Sequence, residues 1–171
     1  MIRHIITSEY PPQPGGVSDY TRIVAEGLAA AGDEVHVWCP AVSPLSTPRR
    51  GAGGEVAAGA PTINPSPFMG SETRTSGGVF VHSEMSGFAP CDLRRTSRLL
   101  NQFPAPRRVL VQWVPHGYGC RSMNLVFCLW LWLRSLRGDR VELMVHEPSL
   151  GFGEGSWKHN VVAFVHRLMT I

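Results

Sequence analysis

The fold is decided by residues 1–39, which read MIRHIITSEYPPQPGGVSDYTRIVAEGLAAAGDEVHVWC. A short apolar run at the start leads into a turn rich in proline and glycine. Apolar residues then recur at spacings of three, four and seven, which predicts an amphipathic helix from about Val17 to Ala31, ended by Gly32. A second apolar run follows at residues 34–39. The order strand, helix, strand indicates the first unit of a parallel sheet.

The same alternation continues along the chain. Five strands are predicted in all, at residues 3–7, 34–39, 79–82, 108–113 and 141–146, and three further helices at residues 92–102, 122–136 and 157–171, with Asp92 as a cap. Several strands carry consecutive apolar residues, as expected for strands covered on both faces. The predicted fold class is therefore α/β, with a Rossmann-like open parallel sheet and helices on both faces. The helix at residues 122–136 is apolar nearly all round, so we expect it to lie deep or against another surface.

Length and composition favour one folded domain. The chain has 171 residues, of which 43% are hydrophobic and 17% charged. A chain of this length buries a substantial core, and this composition excludes disorder of the chain as a whole. Residues 40–78 are the exception, because they are rich in Pro, Gly, Ser, Ala and Thr and have no sustained period. Such a long connection is either functional or a mobile surface insertion.

Positive charge is concentrated in one segment. The formal net charge is +3, but residues 92–140 hold nine Arg against two Asp, so that segment carries +7 and the rest of the chain −4. A basic region of this kind could attract phosphate, nucleic acid or an anionic membrane surface. The alternative is that these arginines lie on solvated helix faces and strand ends.

The sequence gives no support for several kinds of site and targeting segment. The four cysteines have no paired spacing, so neither a zinc site nor a disulfide framework is indicated. The first residues form a short apolar strand and not a signal peptide, and the longest apolar run, residues 125–133, is too short to span a bilayer. We therefore expect a cytoplasmic protein.

Gly15 and Gly16 stand at the turn between the first strand and the first helix. Glycines there let a ligand approach the backbone, and the free N–H groups of a helix start attract a phosphate or a carboxylate. The other interpretation is that the pair only turns the chain sharply. Neither G-x-G-x-x-G nor a P-loop is present, so dinucleotide-dependent dehydrogenases and P-loop nucleotidases lose support.

Two histidines follow predicted strands. His116 comes after the fourth strand and His146 ends the fifth, at the edge of an open parallel sheet where ligands bind. An imidazole there can orient a sugar hydroxyl or exchange a proton near neutral pH. Glu147, beside His146, is a candidate acid or base. A structural role stays open for each of these residues, and no G-x-S-x-G nucleophile elbow occurs.

Part of the sequence resembles a known family. Residues 7–12 (TSEYPP), Gly15-Gly16-Val17 and residues 28–37 (LAAAGDEVHV) resemble the amino-terminal signature of retaining glycosyltransferases of the GT-B fold (family 4-like, group 1). That family includes bacterial lipopolysaccharide, mannosyl and mycothiol glycosyltransferases. The match spans about residues 3–40, and VHEP at residues 145–148 resembles the family more loosely.

The resemblance implies a two-domain enzyme of which residues 1–171 form the single acceptor-side, Rossmann-like amino-terminal domain. Gly15 and Gly16 would lie against the donor diphosphate, and His146 would be the catalytic residue near the transferred sugar. His116 and Glu147 would be further donor- or substrate-binding residues. The substrates would be a nucleotide-sugar and a carbohydrate or lipid-linked acceptor, with no metal, no cofactor and no nucleic acid, and with contact to the inner face of the membrane as an open possibility. The loop at residues 40–78 falls where such domains vary with the acceptor.

The sequence departs from that family in what it lacks. Nothing in it resembles the family's second domain, with its acidic E-x₇-E element and its basic diphosphate-binding residues. We therefore expect a chain truncated at its carboxyl end and inactive alone, because stabilising the leaving diphosphate is a large part of such catalysis. Two alternatives stay open: a non-catalytic Rossmann-like module that binds an anion or a partner, and a small α/β enzyme of another class.

Overall fold

A computed structural model describes residues 1–41, 72–74, 78–85, 87–119, 122–146 and 157–169. The strands are β1 (Ile2–Ile6), β2 (Glu34–Pro40), β3 (Glu72–Arg74), β4 (Val79–Met85), β5 (Arg108–Trp113) and β6 (Arg140–Val145). The helices are α1 (Gly16–Ala30), α2 (Pro90–Leu100), α3 (Leu125–Leu136) and α4 (Trp157–Met169), with a short 3-10 turn at Pro115–Tyr118. Most of the predicted loop at residues 40–78, the candidate residue Glu147 and the last two residues of the predicted fourth helix lie outside the described residues.

The strands form one open sheet in the order β3-β4-β2-β1-β5-β6. Strands β4, β2, β1, β5 and β6 pair in parallel, and β3 pairs with β4 in the antiparallel sense. The predicted α/β class and its five parallel strands are confirmed. Strand β3 was not predicted, because its three residues lie inside the segment without a sustained period and carry no apolar pattern.

Helices cover both faces of the sheet, as predicted. On one face α1 packs over Ile5, Val35 and Val37. On the other, α2 and α3 pack over a larger cluster that includes Trp38 and Val111. Parallel strands buried on both sides are hydrophobic without alternation, which explains the consecutive apolar residues in β1 and β5.

Helix α1 packs only partly through the predicted apolar stripe, which comprises Val17, Tyr20, Ile23, Val24, Leu28 and Ala31. Val24 and Leu28 pack against the core, but Tyr20 and Ile23 are exposed. The fully buried positions of the helix are instead Ser18, Thr21 and Ala25. These three residues share one helical face, at spacings of three and four. Their small side chains let the helix lie close to the sheet, so larger apolar residues are displaced to the flanks and outward.

Helix α3 is less buried than predicted. Phe127 and Leu131 face the core, but Leu129, Trp132 and Leu136 are exposed. Of the two predicted alternatives, a deep position is therefore wrong for the outer side of the helix in the described part of the chain, and packing against another surface stays a prediction. Helix α2 begins at Pro90, so Asp92 lies in its first turn and is not its cap. No helix in the described ranges combines the length and the apolar character needed to cross a bilayer.

Candidate functional site

The carboxyl edge of the sheet begins with a polar turn after β1. Thr7 is fully buried, and its hydroxyl donates to the carbonyl oxygen of Glu9 (2.8 Å). The Thr7 Oγ1 atom also lies 3.4 Å from Thr21 Oγ1 on α1. Because both contacts are buried or partly buried, they fix the turn against the helix that follows it.

Gly15 and Gly16 occupy different surroundings at the start of α1. A Cβ atom added at Gly15 would overlap the Glu9 carboxylate, whereas one added at Gly16 would meet nothing within 4 Å. A side chain at position 15 would therefore require the Glu9 carboxylate to move. The N–H groups of a helix start favour negative charge, and the Glu9 carboxylate lies beside Gly15 at this one. Gly16 faces open space.

His146 follows β6 and is half-buried on the side of the sheet that carries α1. Its backbone N–H donates to the carbonyl oxygen of Trp113 (3.1 Å), and its Nε2 atom lies 2.7 Å from Gln112 Oε1. The edge of its ring packs against Tyr20, with centroids 5.0 Å apart. Tyr20 is one helical turn after Gly16, so Gly16 and His146 lie at the same edge and on the same side of the sheet.

His116 lies in the 3-10 turn after β5 and is exposed. Its Nδ1 atom is 2.7 Å from Ser122 Oγ, and its ring centroid is 5.5 Å from that of His166 on α4. These contacts are on the side of α3 and α4, away from α1. The structure thus brings His146 next to α1 and directs His116 to other partners.

The turns after β1 and β5 approach each other closely. A Cβ atom added at Gly117 would overlap the Ser8 side chain, so glycine at position 117 is what allows the contact. Ser8 was not among the predicted site residues, and nor were Glu9, Tyr20 and Gln112. The signal that could have found Gln112 is a polar residue inside the apolar strand VLVQW.

Among the described residues, three buried polar atoms of this region have no hydrogen-bond partner. They are Ser8 Oγ, Ser18 Oγ and Gln112 Nε2. Leaving a buried donor or acceptor unpaired costs about 1–3 kcal/mol, and native structures keep few such groups. A bound polar molecule that reached these atoms would supply the missing partners.

Two cavities lie elsewhere on the molecule. One, of about 360 Å³, is at the amino edge of the sheet beside Arg108 and Arg140. The other, of about 320 Å³, lies between α3, β6 and α4 and is lined largely by apolar side chains such as Trp132 and Leu143. Neither includes Gly15, Gly16 or His146, so a shared pocket around those three residues stays a prediction.

The Arg-rich segment does not form one basic surface. Arg134 is buried, pairs with the buried Asp139 carboxylate and donates to Asn101 Oδ1 (2.7 Å). Arg107 Nη1 also donates to Asp139 (3.0 Å), and Arg107 Nε donates to the carbonyl oxygen of Leu100 at the end of α2 (2.7 Å). Burial lowers the pKa of Arg134, and Asp139 opposes that shift. These two arginines are structural.

No cluster of three or more His, Cys, Asp or Glu residues within the described ranges could hold a metal ion. No protein-family model matches the chain, and no curated protein matches it significantly. The resemblance to glycosyltransferases therefore depends on the residues quoted for it and on the geometry of this edge.

Proposed function

We propose that this chain is the amino-terminal, acceptor-side domain of a nucleotide-sugar-dependent glycosyltransferase of two-domain GT-B architecture. The reaction moves a sugar from a nucleotide-sugar donor to a carbohydrate or lipid-linked acceptor. The observation that carries the proposal is that Gly16 and His146 lie at one edge and on one side of the sheet, with Tyr20 between them. Ligands of open parallel sheets bind at this edge.

Each of these residues has a chemical role in the proposal. The first turn of α1 offers N–H groups to a phosphate oxygen beside Gly16, where no side chain intrudes. When His146 Nε2 carries the proton, it donates to Gln112 Oε1, and Nδ1 keeps a lone pair. That lone pair can accept a hydrogen bond from a sugar hydroxyl. The unpaired Ser8 and Gln112 atoms would be further partners for a polar ligand.

The Glu9 carboxylate limits where a diphosphate can lie. It occupies the space beside Gly15, so a phosphate that approached Gly15 would have to displace it. Gly16 imposes no such condition. Glu9 can instead accept hydrogen bonds from hydroxyl groups of the acceptor.

Stabilisation of the leaving group is assigned to a second domain. A departing diphosphate must be stabilised as the glycosidic bond breaks. The side chains placed at this edge above, those of Ser8, Glu9, Tyr20, His116 and His146, include no Lys or Arg. We therefore expect no appreciable turnover by residues 1–171 alone. A glycosyltransfer assay with several nucleotide sugars tests this, and robust product would contradict the assignment to half of an enzyme.

Substitution of Gly16 tests the binding site itself. Both Gly16→Asp and Gly16→Asn fit the open space, and Asp at the first helical position favours the helix dipole, so loss of folding would not explain a loss of binding. By titration calorimetry with UDP-glucose and GDP-mannose, we expect Gly16→Asn to bind nearly as the unmodified chain. Gly16→Asp should bind about tenfold more weakly, because its carboxylate repels the diphosphate. Equal affinities of the two variants, or no binding by the unmodified chain, would contradict the proposal.

A second candidate function is the non-catalytic Rossmann-like module that binds an anion. It is favoured by Arg108 and Arg140, which line a cleft at the opposite edge of the sheet and have no ion-pair partner among the described residues. Anion binding there without any nucleotide-sugar binding at Gly16 would select this candidate.

A further inference from the structure

A cleft of about 360 Å³ lies at the amino ends of β1, β5 and β6, opposite the edge that carries His146. Ile2, Pro104 and Pro106 supply apolar walls, and the charged side chains are those of Arg107, Arg108 and Arg140. No Asp or Glu lines this cleft. Its volume is within the range of sites for small molecules.

The arginines of this edge form a row across three neighbouring strands. Arg3 of β1 is the register partner of Arg108 of β5, and Arg108 is the register partner of Arg140 of β6. Adjacent strands are about 4.8 Å apart, so partners of this kind have neighbouring side chains on the same face. Like charges directly opposite each other destabilise a sheet.

Two arginines of this edge are neutralised by the chain and two are not. Arg3 pairs with Asp33, and Arg107 pairs with Asp139. Within the described ranges, the structure gives no ion pair or hydrogen bond to the side chains of Arg108 and Arg140. The acidic residue nearest in register, Glu142, is exposed and lies opposite Leu110, two positions further along β6. Arg108 and Arg140 therefore both line this cleft, and no described residue supplies a counter-charge to either.

We propose that this cleft binds a compact anion of the phosphate type that carries at least two negative charges, such as a phosphomonoester or a diphosphate group. Guanidinium groups bind phosphate oxygens in a bidentate manner and remain charged at every working pH. One dianion between Arg108 and Arg140 neutralises both and removes the repulsion along the row. The phosphate can belong to a free small molecule or to a phospholipid headgroup, since both present the same chemistry.

Pyrophosphate is the probe that tests the site. We expect titration calorimetry at low salt to give saturable binding to the full chain, with one site. Arg108→Gln and Arg140→Gln should each weaken it about tenfold, because each removes a charge-assisted hydrogen-bonding group. The matched control is Arg137→Gln, which removes the same charge from an exposed position after α3 that does not line the cleft. The control should change the affinity less than twofold.

Thermal melting gives an independent readout. Pyrophosphate should raise the melting temperature of the unmodified chain, since a ligand of the folded state stabilises it, and should not raise that of the Arg108→Gln, Arg140→Gln double variant. Without ligand, the double variant should melt no lower than the unmodified chain, because it loses the repulsion. Absence of saturable binding, or equal weakening by Arg137→Gln, would overturn the proposal.

Two further arms distinguish the sources of the phosphate. A lipid headgroup is identified if the chain binds vesicles that contain phosphatidic acid, if the double variant does not, and if pyrophosphate competes with this binding. A free ligand is identified if pyrophosphate binds and the vesicles do not. Single-stranded DNA that binds with a steep salt dependence, equally in the double variant and in Arg137→Gln, would show a diffuse basic surface and overturn the proposal. The site is at the opposite edge from Gly16, so its failure leaves the proposed transferase function untouched.

Discussion

Among the described residues, the two edges of the sheet differ in the kind of polar group that has no partner. At the carboxyl edge, neutral groups such as Ser8 Oγ and Gln112 Nε2 are buried without partners, beside a glycine turn. At the amino edge, the uncompensated groups are charges, those of Arg108 and Arg140. Unpaired neutral groups fit a hydroxylated ligand and unpaired cations fit an anion. Net charge alone would therefore have located only the amino edge and missed the unpaired neutral groups at the carboxyl edge.

The core behind the amino edge has its polar groups paired. His36 Nδ1 lies 2.9 Å from His82 Nε2, and His36 Nε2 lies 2.9 Å from Glu34 Oε1. The indole N–H of Trp38 donates to His4 Nδ1 (3.3 Å). At the carboxyl edge, His116 is exposed and His146 half-buried.

The largest expected effect is acid destabilisation through the buried imidazoles behind the amino edge. Burial, and then electrostatic interaction with the neighbouring His36, lower the pKa of both His4 and His82 to about 3 from 6.5. The unfolded chain therefore binds two more protons than the folded one between these values, so stability is full above pH 6.5 and is lost as the pH falls toward 3. The expected slope is about 2.7 kcal/mol per pH unit near pH 5.

Urea denaturation between pH 7 and 4.5 measures that slope. His82→Phe, which keeps an aromatic ring against Trp38, should reduce the slope by about half whatever its effect on stability at pH 7, since one of the two titrating groups is gone. A flat profile for the unmodified chain would show that these imidazoles are not neutral in the folded state.

The next largest expected effect concerns the ion pairs at the amino edge. Asp139→Ala leaves the buried Arg134 without its carboxylate, and breaking a buried pair on one side costs about 3–5 kcal/mol. Asp33→Ala removes a carboxylate that pairs with Arg3 and the amino terminus near the surface, and should cost much less. If urea denaturation shows that Asp139→Ala and Asp33→Ala lower the free energy of unfolding equally, the buried pair of Asp139 does not stabilise this edge.

A smaller effect tests the contact between the two turns at the carboxyl edge. Gly117→Ala should destabilise the protein by about 1–3 kcal/mol, because the new methyl group overlaps Ser8. Gly27→Ala on α1, where nothing lies within 4 Å, should stabilise it by about 0.5–1 kcal/mol. Thermal denaturation measures the stability of both variants. A Gly117→Ala variant as stable as the unmodified chain would contradict the close contact between Gly117 and Ser8.

The smallest expected effect concerns Glu9. If a diphosphate lies beside Gly16 only, Glu9→Gln should strengthen nucleotide-sugar binding by about two- to fivefold, because one nearby negative charge is removed at a partly exposed site. Glu26→Gln, an exposed change on the same helix, is the control. Weakened binding by Glu9→Gln alone would mean that the carboxylate holds sugar hydroxyls of the donor directly.

The sequence predicted the positions of the strands and helices well. It predicted poorly which side of a helix packs against the sheet. Strand and helix positions follow from local periodicity, so β5 was predicted at its observed bounds, residues 108–113. Of the residues by which α1 packs, Val24 and Leu28 were predicted. The most buried ones, Ser18, Thr21 and Ala25, were not, because their burial depends on how closely the helix lies against the sheet. Strand β3 gave no signal, since three polar residues pair there only through the tertiary position of β4.

The sequence predicted only those residues of the candidate site whose position follows from the order of strands and helices. The rule that ligands bind at the carboxyl ends of parallel strands selected Gly16 and His146. The contacts of Tyr20 with His146 and of Ser8 with Gly117 join residues far apart in the chain, and no spacing rule gives them. The summed charge of residues 92–140 likewise hid the fact that Arg134 faces Asp139 inside the core.

The central claim is that the turn at Gly16 and the imidazole of His146 serve one ligand. Chemical-shift mapping of the isotope-labelled full chain, titrated with UDP-glucose and GDP-mannose, tests it most directly. The expected result is that at least one donor shifts the resonances of Gly16, Tyr20 and His146 together, with one affinity, whether or not the resonances of Arg140 also move through binding at the amino edge. Shifts confined to the amino edge, or shifts at Gly16 and His146 with different affinities, would contradict it.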